Sequence, residues 1–210
     1  MSNKIALIDY DAGNLFSVER ALKVVRADYQ LTDKPSDVSK ADKIIIPGVG
    51  AFAVGMQNLA KRGLILPIKE AVEKGKPILG ICLGMQLLMD YSEEFGKHQG
   101  LGLLKGGVNK IKTKAKLPQI GWNTVKIIKT NKLTNNIKNN DWFYFVHSYV
   151  IRPKNNKQVF GITEYGKDEF CSIISYNQVY GVQFHPEKSG PSGLKIYHNF
   201  IGNVRPAASS

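Results

Sequence analysis

The chain predicts an α/β fold, and three observations predict it. Through the first half, short apolar strands alternate with segments of helical spacing, the pattern of a parallel sheet covered by helices. After about Gly100 the texture changes to short β-rich runs separated by Asn, Gly and Lys. Between these halves a strand stops at a glycine, turns sharply and opens a helix, in the segment Gly80-Ile81-Cys82-Leu83-Gly84.

The elements follow in order. Residues 4–10 form a strand, and 15–25 place Leu15, Val18, Leu22 and Val25 at helical spacing. Residues 28–32 and Lys43–Ile46 read as further strands, and 64–73 as a helix ended by Gly75. The elbow strand is 77–81, and the helix behind it spans 83–91. In the second half, 122–128, 142–149, 158–165, 170–175 and 179–184 read as strands. The lysine- and asparagine-rich segments 129–140 and 153–157 read as surface loops, and 192–201 as a closing helix. With no internal repeat and no linker, residues 1–204 form one domain, and 205–210 are expected to be a disordered tail.

At 210 residues and 43% hydrophobic content the chain can bury a proper core. No run of about 18 apolar residues exists, so no membrane span is expected. The first residues enter a strand at once, which leaves no room for a signal peptide. Two cysteines, Cys82 and Cys171, are too few for a secreted disulfide framework. The expectation is a cytoplasmic protein. The formal charge of +12 comes mostly from scattered Lys rather than from Arg clusters interleaved with aromatics. It reads as a solvated surface, of a kind that steers an anionic substrate or an acidic partner, and no nucleic acid is expected.

The chemistry concentrates at the elbow. A G-x-nucleophile-x-G turn raises a reactive atom above a sheet edge, with helix N–H groups behind it. The helix N-terminus favours the thiolate, the form that attacks. Glycines two residues either side of Cys82 would be poor choices in a packed strand, but an elbow needs them. Cys171, within the apolar run 170–174, reads as a small buried hydrophobe. Pro47-Gly48-Val49-Gly50 follows the Ile44-Ile45-Ile46 strand and so falls at the carboxyl edge, where such sheets hold their sites. Its N–H groups, with that of Leu83, can form an oxyanion hole, each donor worth about 3–4 kcal/mol in the transition state.

Far downstream, Gln183-Phe184-His185-Pro186-Glu187 supplies a base and an orienting carboxylate. Pro186 turns the chain, so Glu187 can approach the imidazole and hold its tautomer. His98 and His198 lack such context, and no Cys-x-x-Cys or His-x-x-x-His spacing supports a metal site. From the residues alone the reading is thiol acyl transfer: Cys82 attacks a carbonyl, His185 shuttles the proton, and an acyl-enzyme is hydrolysed.

Residues 80–86, Gly-Ile-Cys-Leu-Gly-Met-Gln, and 181–187, Gly-Val-Gln-Phe-His-Pro-Glu, together resemble the class I, or triad, glutamine amidotransferases. Such enzymes hydrolyse the side-chain amide of glutamine and hand ammonia to a synthase partner. The resemblance runs over residues 4–204 and points within the family to the glutaminase subunits of imidazole glycerol phosphate synthase. The segments 9–15, 47–52, 118–123 and 144–149 and His185-Pro186-Glu187-Lys188-Ser189 carry it, and Met85 stands where other branches usually have His.

The resemblance implies a flavodoxin-like, mostly parallel sheet with an added antiparallel part in the C-terminal half. It implies Cys82, His185 and Glu187 as the triad, and Val49, Gly50 and Leu83 at the oxyanion hole. Gly48, Gln86, Ser148 and Tyr149 fall at the glutamine, and Gln86 lies about one helical turn after Cys82, able to face the same pocket. The Val49 peptide is the one that reorients on activation. Asn14, Trp122, Tyr144 and Lys188 fall on the face that docks on a cyclase barrel, giving a heterodimer with no cofactor and no metal. Ala12 departs from several relatives, which have proline there, and leaves the loop at 11–14 less rigid.

Other readings carry less. The anthranilate or aminodeoxychorismate type is opposed by Lys188-Ser189 and by Gly121-Trp122-Asn123. A free-standing cysteine hydrolase rarely combines the elbow with a distant His-Pro-Glu, and a degenerate binding module would be expected to have lost Cys82 or His185.

Overall fold

The structure, a computed structural model, describes residues 4–205, so nearly all of the expected tail lies outside the described residues. The first half runs β1 (Ile5–Ile8), α1 (Leu15–Val24), β2 (Tyr29–Thr32), α2 (Pro35–Lys40), β3 (Lys43–Ile46), α3 (Phe52–Lys61), α4 (Ile65–Glu73) and β4 (Ile78–Ile81). The elbow leads into α5 (Leu83–Leu87), β5 (Met89–Ser92), β6 (His98–Gln99), β7 (Leu104–Lys110), β8 (Gln119–Ile127) and β9 (Asp141–His147). Then come β10 (Tyr149–Pro153), β11 (Val159–Tyr165), β12 (Asp168–Tyr176), β13 (Val179–Val182) and α6 (Gly190–Gly202).

A nine-stranded sheet has the order β2-β1-β3-β4-β13-β12-β11-β8-β9. It is parallel from β2 to β13 and antiparallel beyond. The central strands β1, β3, β4 and β13 are buried at every residue, as strands covered on both faces must be. A smaller sheet, β10-β7-β5-β6, lies beside it. The mostly parallel sheet with an antiparallel extension matches the expected architecture.

Lys43 is the exception to the apolar rule in β3. Its ammonium is drawn inward to the last carbonyls of α6, donating to Phe200 O at 2.9 Å and Ile201 O at 2.5 Å. Burial, then the charge of Arg205, pushes its pKa down to about 8 against the pull of Asp42.

Two expectations are corrected, and one strand lies where no element was expected. The helix expected over 83–91 ends at Leu87, and the chain continues as β5. Leu87, Leu88 and Met89 are all fully buried, so the apolar run fits helix or strand equally, and pairing decides. The carbonyls of Leu87 and Leu88 are taken by Leu101 and by Leu103 and Leu104 from the returning chain, which closes the helix. The lysine-rich stretch after Leu104 holds strand β7, which buries Leu104 and Val108 and leaves Lys105 and Lys110 outside. The loop over 129–140 is not all surface: Leu133 and Thr134 are buried, and Asn199 Nδ2 donates to Leu133 O at 2.9 Å.

Candidate active site

Cys82 sits alone between β4 and α5 at φ 51°, ψ −107°. A positive φ is strained for a side chain with a Cβ, so the surroundings must hold it. They do so from both sides. The Cys82 N–H donates to Val182 O at 2.8 Å, and its carbonyl accepts from Gln86 N at 3.2 Å. The two glycines let three elements meet here. A Cβ on Gly84 would stand 1.8 Å from Ile46 O, and one on Gly80 would stand 2.6 Å from Gly84 O. The thiol thereby rises at the carboxyl ends of β3, β4 and β13, the usual place for a site in such a sheet.

His185 follows β13 and is anchored by its N–H to Tyr144 O at 2.9 Å. Pro186 starts a single tight turn, Pro186–Lys188, which brings Glu187 back so that Oε1 lies 2.7 Å from His185 Nδ1. Both side chains are buried, at 3% and 4% exposure. Nδ1–H therefore donates to the carboxylate, and Nε2 is left to face the thiol. Nε2 is buried, forms no hydrogen bond of ordinary geometry, and lies within range of the Cys82 charge. Burial works against a charged ring, but the Cys82 thiolate, then the Glu187 carboxylate, outweighs it and pushes the His185 pKa up to about 10. The Cys82 sulfur has only long contacts besides, 3.7 Å from Gln183 Nε2 and 3.9 Å from Val146 O.

A cleft of ≈ 510 Å³ opens over the thiol, and Val49, Gly50, Leu83, Gln86, Ser148, Tyr149 and Lys188 line it with Cys82. Gln86 Nε2 donates to Tyr149 O at 2.9 Å and to Gln183 Oε1 at 3.2 Å, tying α5 to the β9–β10 corner. Gly48 does not line the cleft. It lies behind, beside Asn14, His185 and Glu187, and a Cβ there would meet the Tyr10 hydroxyl at 2.1 Å. The oxyanion hole also differs from the expectation. The Leu83 N–H is not open to the cleft but donates to Gly48 O at 3.2 Å.

The four residues expected at a partner face are placed as follows. Asn14 caps α1, accepting from Ser17 N. Trp122 and Tyr144 face each other across β8 and β9, with rings edge to face at 6.2 Å, and Lys188 Nζ lies 5.7 Å from the Tyr144 ring centre. Trp122 is 52% exposed, and Ile120 and Trp142 are exposed beside it on the same strand faces.

Three residues were missed. Glu94 lines the cleft, its carboxylate accepting from Phe52 N at 2.6 Å at the start of α3; nothing in its spacing links it to Cys82. His147 also lines the cleft, its Nδ1 bonded to Tyr149 O at 3.0 Å and its Nε2 buried without a partner. Tyr197 of α6 places its hydroxyl 3.3 Å from Glu187 Oε2. Cys171 is buried, and burial pushes its thiol pKa well up. Among the described residues no group of three or more His, Cys, Asp or Glu is arranged to hold a metal, and no helix is long and apolar enough to cross a membrane.

A cysteine at a strand-to-helix elbow, with a buried His–Glu pair beside it, can carry out nucleophilic acyl transfer on a carbonyl held in the cleft. The family model for class I glutamine amidotransferases matches residues 6–204. The imidazole glycerol phosphate synthase subunit HisH of Moorella thermoacetica is 46% identical over 206 residues, 98% of either chain. That of Methanocaldococcus jannaschii is 48% identical over 201 residues, 94% of this chain and 98% of its own. Among solved structures, PurLQS from Thermotoga maritima matches with a TM-score of 0.75 at 21% identity, covering 98% of this chain and 100% of that one. A glutamine amidotransferase from the same organism gives 0.64 at 18%, covering 94% and 81%; at such identities these two speak for the fold alone. The chain belongs to the class I glutamine amidotransferase family, and within it to the HisH subunits of imidazole glycerol phosphate synthase.

Proposed function

We propose that the chain is the glutaminase subunit of an imidazole glycerol phosphate synthase in histidine biosynthesis. It hydrolyses glutamine to glutamate and ammonia through Cys82, His185 and Glu187. The single observation behind this reading is the buried His185–Glu187 pair, 2.7 Å apart, beside the strained elbow cysteine. In this mechanism the Cys82 thiolate attacks the side-chain carbonyl carbon, and the C–N bond breaks as His185 gives its proton to the leaving nitrogen. Ammonia departs and a thioester remains. His185 then takes a proton from water, which attacks the thioester, and the thiolate leaves as glutamate forms.

The cleft offers a group for each part of the substrate. The Glu94 carboxylate suits an α-ammonium, and Gln86, Ser148 and Tyr149 line the same cleft. The ammonia needs a partner, because in water at neutral pH it becomes ammonium and loses its lone pair. We assign that partner as a cyclase of β/α-barrel fold, docking on the aromatic face of Trp122 and Tyr144 with Asn14 and Lys188. By the family resemblance the cyclase makes imidazole glycerol phosphate and AICAR. The test is Cys82→Ala: glutaminase activity disappears with fold and partner binding kept, while Cys171→Ser keeps its activity. A glutamine analogue carrying an electrophile labels Cys82 and leaves Cys171 untouched. Full activity in Cys82→Ala would end this reading.

A further inference from the structure

The triad uses one oxygen of Glu187. Oε1 receives the His185 N–H at 2.7 Å, and Oε2 faces the hydroxyl of Tyr197 at 3.3 Å. Tyr197 is fully buried, and the Glu187 side chain is 4% exposed, so solvent has little access to Oε2. Packing of α6 on the Pro186–Lys188 turn creates this contact. A Cβ on Gly193 would lie 1.9 Å from Pro186 O, so the helix rests directly on the turn that carries Glu187. Tyr197 is four residues further on, one turn along the same helix face. Burial, followed by the charge of Glu187 and the hydrogen bond to it, keeps the phenol protonated and therefore a donor.

We propose that Tyr197 is a positioning residue of the triad: its hydroxyl donates to Oε2 and holds the carboxylate turned toward His185. This rests on the triad reading above. A buried carboxylate bonded at one oxygen alone is free to turn and is less stable as an anion. Held at both, it keeps its charge and its aim on Nδ1, so the ring stays directed at the thiol. The contact is longer than the usual O–H···O range, which places its effect at the low end for a bond to a charged group.

The test is a double-mutant cycle of Tyr197→Phe, which keeps the ring and removes the hydroxyl, with Glu187→Gln. Glutamine hydrolysis by the full chain, and the alkylation rate of Cys82 by iodoacetamide, are read in each variant. Tyr197→Phe should lower kcat about 5- to 10-fold. KM should stay unchanged, and alkylation should slow in parallel. In the Glu187→Gln background the same change should have less than about a twofold effect, since the carboxylate it orients is gone. Equal losses in both backgrounds, or no loss in either, overturn the assignment. If Glu187→Gln is impaired while Tyr197→Phe is silent, the triad reading stands and Tyr197 falls. If Glu187→Gln is itself silent, the triad reading falls with it.

Discussion

His147 lines the cleft over Cys82 and His185 lies behind it, and their surroundings drive them in opposite directions. His185 has a carboxylate on one side and the thiol on the other, and its pKa rises to about 10. His147 has packed aromatic rings, Phe145 at 5.6 Å and Phe170 at 5.2 Å. Burial there, against the pull of the Tyr149 carbonyl and with the charge of His185 adding, lowers its pKa to about 4. A depressed folded-state pKa means that the unfolded chain takes up the proton first as the pH falls. The stability that neutral His147 contributes is therefore present above about pH 6.5 and lost toward pH 4, in total about 3 kcal/mol. His185, whose pKa is raised, contributes stability that is fully present below about pH 6.5 and is lost progressively as the pH rises from there through 10, so it adds little slope over most of that window. Denaturant unfolding from pH 4 to 6.5 should show this dependence, and His147→Asn should flatten it while an amide N–H still reaches Tyr149 O. An unchanged slope would assign the acid sensitivity elsewhere. Cys82, His185 and Glu187 were legible because each lies in a short segment whose local geometry makes its chemistry. His147 stood within a legible segment, but its neutrality comes from burial among residues distant in sequence, which spacing does not carry.

Among elements, the elbow and the loop before α3 carry glycines for opposite reasons. Gly84 is a close-approach glycine, since any Cβ there meets Ile46 O at 1.8 Å and must push α5 off β3. Gly50 has open space around its Cβ position but a φ of +118°, which other residues rarely adopt. Gly84→Ala should therefore destabilise the whole fold by more than about 3 kcal/mol, beyond the usual overpacking range because backbone is struck. Gly50→Ala should cost about 1–3 kcal/mol of local strain and leave the core intact. Thermal unfolding of the two variants beside wild type checks this, and equal losses would refute the distinction. The same contrast explains what the sequence revealed of the fold. The alternating first half was legible because its central strands are apolar but for Lys43 at the start of β3 and α1 has a clear periodic face. Helix α5 was read four residues too long because Leu87, Leu88 and Met89 are buried whichever backbone they adopt. Strand β7 was hidden because its outward residues are lysines and its inward ones include Gly106 and Gly107, so alternation is weak. Helices α2 and α3 passed unread: α2 is short, with Val38 alone buried, and α3 follows the Pro47–Gly50 turn with no side-chain cap.

At the scale of the whole molecule, the candidate site lies beside an exposed aromatic face. The His185–Glu187 pair is assembled, yet the Leu83 N–H, one of the donors expected for the oxyanion, is bound to Gly48 O at 3.2 Å. The Tyr10 hydroxyl donates to Pro47 O at 2.5 Å and holds the start of the same loop, whereas Gly50 at its far end has open space at its Cβ position. Turning the peptide between Gly48 and Val49 would withdraw that carbonyl and free Leu83, and the absence of a side chain on Gly48 lowers the cost of the rotation. Lys188 links this loop to the surface, since it lines the cleft and also stands over the Tyr144 ring against which exposed Trp122 packs. A partner that engages Trp122 and Lys188 can thus favour the turned loop by its differential contacts with the two states. One completed donor is worth about 3–4 kcal/mol, or roughly a hundred- to a thousand-fold in turnover. We therefore expect weak glutaminase activity from the isolated chain, and stimulation of that size when a cyclase carrying its ribonucleotide ligand docks. Trp122→Ala and Lys188→Ala should reduce docking or stimulation, while the alkylation of Cys82 in the isolated chain stays as in wild type. Full turnover by the isolated chain, unchanged by cyclase and ligand, would show that the Leu83 to Gly48 bond is no barrier and that the chain acts without a partner.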